Sequence, residues 1–440
     1  MKNLTISEYG YIYHKEPKNL NSKFSHEKVS EKEWKELYQY WQENDDAKKV
    51  FEFDGYHLKA LNYVGVIQTK SLSVEILPKI YDDKKEEDHR IIFIKMLKPL
   101  LDINEIQINK ADLSITNNTN IYEMFITLFV QSIDTLIHKG IKSEYILREG
   151  NQFFLKGKLK FNQHIKQNYI HKERFYVETD EYLQDRTANR LLKSTISLLL
   201  KKTNSYDNKR KLRQQLFVFD EVQLSHNHEI DFKKVNKHRG MEHYDLPLRF
   251  AKVFLMHKSF TSMRGKDNVF ALLFPMEKVF ENYMEFVLNN SKNILGIKDI
   301  HINGRNDEYL LTNSKCNMAR LQPDYLLEMN DGLDIVTDAK WKLFESKENE
   351  TKGCDTVNIS SGDVYQIFSY LHFYDCQNMA YLFVPKTEEF KESIEFTYLA
   401  EQNPKLPSGK KRIKIIPIDL VKLVAEDSKH ILSKDIFKCQ

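Results

Sequence analysis

The chain has 440 residues, is 41% apolar and carries 27 Phe and 23 Tyr, a composition of folded protein with two or three domains and not of a disordered chain. Its net charge is only +3, so any nucleic-acid affinity must come from local patches and not from an overall positive field. Cys316, Cys354, Cys376 and Cys439 form no CxxC pair, which disfavours structural zinc and a disulfide framework, and the missing G-x-x-x-x-G-K-[ST] loop argues against P-loop nucleotide hydrolysis.

The amino terminus has no signal-peptide pattern, and no apolar run reaches about 18 residues, so a cytoplasmic protein without membrane spans is expected. Residues 1–112 read as a β-rich region of short strands interrupted by one clear helix. That helix opens at Ser30 with Glu33 three residues on, a capping box, and puts Trp34, Leu37, Tyr38 and Trp41 on one face. Residues 113–245 are helix-rich, with long amphipathic runs at 121–138 and 187–202 and strand-like alternation around Gly157. His226-Asn227-His228 is a metal-like pair, but with no second ligand cluster it reads as a polar loop.

Residues 246–440 hold the chemistry. The segment 275–288 is an amphipathic helix, apolar at 276, 279, 280, 283, 284, 287 and 288. Glu277, Glu281 and Glu285 form an acidic stripe along it, and Glu281, at the apolar boundary, is the inward candidate. Further on, Pro323-Asp324 opens one apolar run, and Asp338-Ala339-Lys340 ends another. Asn330-Asp331-Gly332 between them signals a hairpin. A turn centred near Asp331 places Asp324 about opposite Asp338, and alternation puts Asp338 and Lys340 on one face. Two carboxylates and an ammonium at one point suit Mg²⁺, which takes few protein oxygens, and phosphodiester hydrolysis. A helix from Asp363 places Gln366 and Tyr370 on one face, with core packing and site support both open for Tyr370, and a buried strand follows at 379–385.

Pro-Asp, Asp-Ala-Lys and Gln-x-x-x-Tyr in this order resemble the PD-(D/E)xK nuclease superfamily. Tyr63–Ile67 with Val74–Ile80 resembles the amino-terminal segment of McrC, the nuclease subunit of McrBC restriction systems, and Glu8–Ile12 its opening strand. Leu155–Leu159, and Asp185 and Asn189 before Arg190-Leu191-Leu192, are similar to its middle region. The resemblance spans about residues 6–420. It implies an α+β amino-terminal region followed by an α/β PD-(D/E)xK-type nuclease domain at 246–440, with the first two regions docking a partner. By the same resemblance Asp324 and Asp338 ligate Mg²⁺, Lys340 is the catalytic lysine, Gln366 supports the site, and Glu281 matches the acidic residue of the first core helix, a further metal ligand. The 343–357 stretch and the basic segment from Lys201 to Lys211 read as insertions.

The implied partners are DNA and a separate McrB-like AAA+ GTPase. Two other functions remain open: a stand-alone DNA repair or recombination nuclease, and a non-enzymatic activator of a motor.

Overall fold

Strand-forming residues lie toward both ends of the chain, and the fold pairs them across that distance. The computed structural model describes residues 2–15, 25–80, 86–101, 120–235, 240–256, 270–304, 308–312, 317–342, 346–349, 354–357, 359–374, 379–398, 411–422, 432 and 436–437. Cys316, Cys376, Cys439 and parts of the expected 343–357 insertion lie outside them, although strands Ser346–Asn349 and Cys354–Val357 of that insertion pair as a hairpin.

The structure falls into two units, one formed by Met1–Ile121 with Met263–Gln440 and the other by Tyr122–Ser262. The sequence reading cuts the chain after 112 and after 245; the structural cuts fall after Ile121 and Ser262, and the first and last stretches share a unit. The reason is a strand. Phe270–Pro275 pairs antiparallel with Tyr63–Gln68, completing a four-stranded sheet that continues through Leu72–Leu77 to Lys2–Ser7.

In this sheet Glu75 is buried and accepts from Arg90 Nε and Nη2 at 3.0 and 2.7 Å and from the Ile121 amide at 2.7 Å. Arg90 belongs to Glu86–Leu101, a helix the sequence reading missed. Ile91, Ile92, Phe93, Ile94, Met96 and Leu97 are all buried, so the helix is apolar nearly all round and has no amphipathic period to detect. The helix Glu31–Glu43 is as expected, with both bonds of the Ser30/Glu33 capping box present. Glu8–Ile12 is not one strand. Tyr9 has φ 62° and lies in a turn between Lys2–Ser7 and Tyr11–Tyr13.

The remainder of this unit centres on a six-stranded mixed sheet, ordered Ile297–Ile302, Tyr325–Met329, Asp334–Ala339, Met379–Pro385, Arg412–Ile418, Ile394–Thr397. The Asp334–Ala339 strand runs antiparallel to Tyr325–Met329 and parallel to Met379–Pro385. Helix Ser361–Phe373 covers one face, where Ile367, Tyr370 and Leu371 pack with Leu326, Val336 and Leu382. Helix Met276–Asn290 buries the seven apolar positions expected of it and touches the other face, where the Tyr325 hydroxyl donates to the Glu281 carbonyl.

The second unit carries helices Thr187–Lys202, Tyr206–Val218, His228–Lys234 and Glu242–Leu255 and a sheet of Glu144–Gln152, Phe175–Leu183 and Lys158–Leu159. The basic segment from Lys201 to Lys211 spans a helix–helix junction capped by Ser205. Asn189 is fully buried, donating to the Lys142 and Gln184 carbonyls and accepting from the Tyr244 hydroxyl. Asp185 takes a two-pronged bond from Arg190 and the Gln223 amide. In the His226-Asn227-His228 stretch, Asn227 caps a helix by accepting from the Ile230 amide and His228 pairs with Ser225. Among the described residues no helix is long and apolar enough to cross a membrane.

Gly65 holds the shared sheet together by lacking a side chain. Its φ is 143°, and a Cβ there would lie 1.9 Å from the Leu272 carbonyl oxygen. Gly65→Ala is therefore expected to lose at least about 1–3 kcal/mol from backbone strain alone, with the carbonyl clash in addition. A clear drop in melting temperature would register this, and unchanged melting would contradict it.

Candidate active site

The hairpin builds the site. Gly332, at φ 84°, turns the chain, and its amide donates to the Met329 carbonyl at 3.0 Å. The ladder then pairs Glu328 with Asp334, Leu326 with Val336 and Tyr325 with Thr337. One residue further, the same register sets Asp324 opposite Asp338. The Ala339 amide donates to Asp324 Oδ2 at 2.8 Å, locking that carboxylate to the facing strand. Asp324, Asp338 and Lys340 share the parity of Leu326 and Val336, so they face the side covered by helix Ser361–Phe373.

Asp338 is only 1% exposed. Lys340 Nζ lies 2.7 Å from its Oδ2 as an ion pair, yet among the described residues neither Asp338 oxygen accepts an aligned hydrogen bond. Burial pushes the Asp324 carboxyl well above the usual carboxylate range, and the neighbouring Asp338 pushes it further, against the pull of Lys340 and the Ala339 amide. For Lys340, burial disfavours the ammonium, but Asp338 and Asp324 outweigh it and hold the group firmly charged. These are two buried carboxyl groups held close together with one cation, short of donors.

Glu281 approaches from the helix on the opposite sheet face. It is half-buried; burial raises its carboxyl, Lys340 opposes this, and Asp338 and Glu277 add to it. Its field reaches the pair, but among the described residues no three His, Cys, Asp or Glu side chains gather into a group able to hold a metal. Glu277 is exposed, and Glu285 is partly buried with its carboxyl raised by that burial.

Gln366 makes its bond away from the carboxylates. Its amide donates to the Tyr370 hydroxyl at 2.8 Å, and that hydroxyl is also hydrogen-bonded to the backbone of Gln322, two residues before Asp324. Tyr370 is at once core and support: it is 5% exposed, and burial raises its phenol. Lys342 and Asp363 escaped the sequence reading. Lys342 donates to Asp363, which also accepts from Ser360. Burial works against the Asp363 charge, but those two bonds hold its carboxyl below the ordinary range. The available signal was parity, since Asp338, Lys340 and Lys342 alternate along one face.

The pair fits a hard divalent cation. Two buried oxygens on Asp338, one met by the Lys340 ammonium and neither by an aligned donor, beside a second carboxylate, form the type of oxygen donor set Mg²⁺ takes, with waters and substrate phosphate completing its shell.

The fold has known counterparts. A chain of the Thermococcus gammatolerans half-complex, from a tetradecameric assembly of McrB AAA+ hexamers with bound McrC, superposes with a TM-score of 0.69 at 21% identity over 97% of both chains. A chain of the cryo-EM McrBC complex of the same organism gives a TM-score of 0.48 at 24% identity, covering 66% of this chain and 87% of that one. A comparison with curated proteins finds no match. The family model for the McrBC 5-methylcytosine restriction system component matches residues 58–385, three quarters of the sequence, from the strand His57–Ala60 to the end of the strand Met379–Pro385, and the chain belongs to that family.

Proposed function

We propose that this protein is the DNA-cutting subunit of a GTP-dependent McrBC-type restriction system, a Mg²⁺-dependent endonuclease of PD-(D/E)xK type that acts in the cytoplasm and stimulates a McrB-like AAA+ GTPase. The observation that carries the reading is the convergence of Asp324, Asp338 and Lys340 on one sheet face, with both Asp338 oxygens buried and without aligned donors.

Asp324 and Asp338 would hold the metal. When bound, Mg²⁺ supplies a lowered pKa for water and offsets charge on the phosphate. The Lys340 ammonium, kept charged by its two aspartates, orients the attacking water and stabilises negative charge developing on the phosphoryl oxygens. Gln366 and Tyr370 steady the Gln322–Asp324 backbone that delivers the first carboxylate. Glu281, whose carboxyl is within electrostatic reach of Asp338 and Lys340, is the third candidate ligand.

For docking we assign the sheet and short helix between residues 144 and 183. Phe153, Phe161, Tyr169, Ile170 and Tyr182 are each more than 60% exposed there. So many exposed large apolar groups within one sheet-and-helix segment suit an interaction surface. The family resemblance names the AAA+ GTPase as the occupant.

Asp338→Ala and Lys340→Ala are each expected to lower cleavage by at least about a hundredfold with the partner and GTP present. Lys340→Ala should keep Mg²⁺ binding by calorimetry, because lysine is not a ligand. Wild-type rates in either folded variant would refute the site. Efficient cutting by the chain alone, without GTP, would favour a stand-alone repair nuclease.

Metal affinity should rise with pH. A carboxyl raised above its ordinary range keeps its proton at neutral pH, and the cation must displace it, so binding tightens as pH climbs through the raised range. By the same sign, the metal-free fold loses stability over that climb, since the native state binds a proton that the unfolded chain has released. Calorimetry across pH should show the rise in the wild type and a flatter curve in Asp324→Asn.

Replacing Tyr169 and Ile170 together by Ser is expected to weaken partner binding by roughly thirtyfold, the scale of a central contact worth about 2 kcal/mol. Lys340→Ala should stimulate GTP turnover as the wild type does. Full stimulation at wild-type concentration by the Tyr169/Ile170 double variant would place the docking surface elsewhere.

A further inference from the structure

One buried carboxylate lies outside the acidic face and yet reaches the catalytic strand. Glu8 is 0% exposed. A carboxyl taken out of water must find donors, and Glu8 finds two. The Lys79 amide donates to Oε2 at 2.9 Å, and the Trp341 indole N–H sits 3.1 Å from both oxygens.

Trp341 directly follows Lys340. It is 5% exposed, and its ring lies 5.5 Å from that of Phe280, the residue before Glu281. Lys340 itself is one residue past the end of its strand, tied there by its amide to the Phe383 carbonyl at 2.9 Å. The backbone that aims the lysine therefore depends on what holds the next side chain. Glu8 is itself held firmly. Its amide donates to the Leu77 carbonyl at 2.9 Å, Tyr9 beyond it is at φ 62°, and a Cβ on Gly10 would meet Ser25 Oγ at 2.4 Å. A non-glycine residue in the left-handed region persists only where its surroundings over-determine it.

We infer that Glu8 is a positioning residue for phosphodiester cleavage: by holding the Trp341 indole it fixes the backbone that presents Lys340, and through Phe280 the helix that presents Glu281. The inference rests on the nuclease reading above. It gives the amino-terminal sheet a role in the chemistry although it contributes no group to the metal. Burial pushes the Glu8 carboxyl up to about 8, with its two donors working the other way, so an uncharged amide can replace it. One amide oxygen in the place of Oε2 can accept from both Lys79 and Trp341.

The test uses the full chain with its GTPase partner and four variants: Glu8→Ala, Glu8→Gln, Trp341→Phe, and Glu8→Ala with Trp341→Phe. Glu8→Ala and Trp341→Phe should each lower kcat about tenfold to a hundredfold, with KM for DNA unchanged, as expected of a displaced catalytic group. The double variant should be no worse than the worse single one, because both changes remove the same link. Glu8→Gln should recover kcat to within about threefold of wild type. In the metal-free protein, the Trp341 indole N–H resonance, one of three in the chain, should shift in Glu8→Ala and return in Glu8→Gln. If Glu8→Ala does not fold, Trp341→Phe decides, since it keeps an aromatic ring beside Phe280 while removing the indole donor. Wild-type kcat in Trp341→Phe, or losses that multiply in the double variant, would overturn the inference. Lys340→Ala in the same assay separates the two readings. If Lys340→Ala is inactive while Glu8→Ala and Trp341→Phe keep full kcat, only the positioning role falls. If Lys340→Ala cuts at wild-type rate, the nuclease reading falls and the positioning role falls with it.

Discussion

The site depends on one constraint, the register of the hairpin that sets Asp324 against Asp338. Side chains alternate along a strand, so a slip of one residue would send Asp338 and Lys340 to the face where Ala339 now lies. The register is fixed from both ends. Gly332 turns the chain at one end, and the Ala339 amide clasps Asp324 at the other. Between them Leu326 and Val336 are committed to the core beneath helix Ser361–Phe373. Burying two carboxylates together is unfavourable, and a single lysine does not satisfy Asp338. In the proposed function a cation completes the pair, which is why these oxygens weigh more than the motif.

Much of this was legible because it is local. The turn centre at Asp331 determined the pairing, and the pairing determined which carboxylates meet. The seven apolar positions of helix Met276–Asn290 are spaced at the helical period and are all buried. The Ser30/Glu33 box marks a helix start through its own hydrogen bonds. Period and capping are written in neighbouring residues, and reading them requires no knowledge of the rest of the fold.

What escaped was set by distant partners. Helix Glu86–Leu101 is buried on nearly all sides and so lacks a polar face. Gln366 and Tyr370 share a helix face as their spacing requires, but only the fold reveals that their bond leads to the Gln322 backbone. The exposed aromatic surface between 144 and 183 reads along the chain like any amphipathic stretch. Whether Phe153 or Tyr182 is covered depends on elements far away in sequence. The grouping of the first and last stretches in one unit was likewise hidden, since a strand's partner is not encoded in its own alternation.

That grouping changes what a nuclease domain means in this chain. Asp324, Asp338 and Lys340 of the proposed site all lie after residue 320, so the sequence suggests a catalytic domain attached to a docking domain. Yet Phe270–Pro275 is an edge strand of the amino-terminal sheet and continues directly into the helix that carries Glu281. Gly65 permits that pairing, and Glu8, in the turn just past strand Lys2–Ser7 of the same sheet, grips the residue after the lysine. A near-neutral chain has little electrostatic attraction to hold DNA by itself, and phosphate contacts weaken steeply with salt. In the proposed function the motor supplies that hold, and the amino-terminal sheet braces the lysine strand so that its geometry is already in place when DNA arrives.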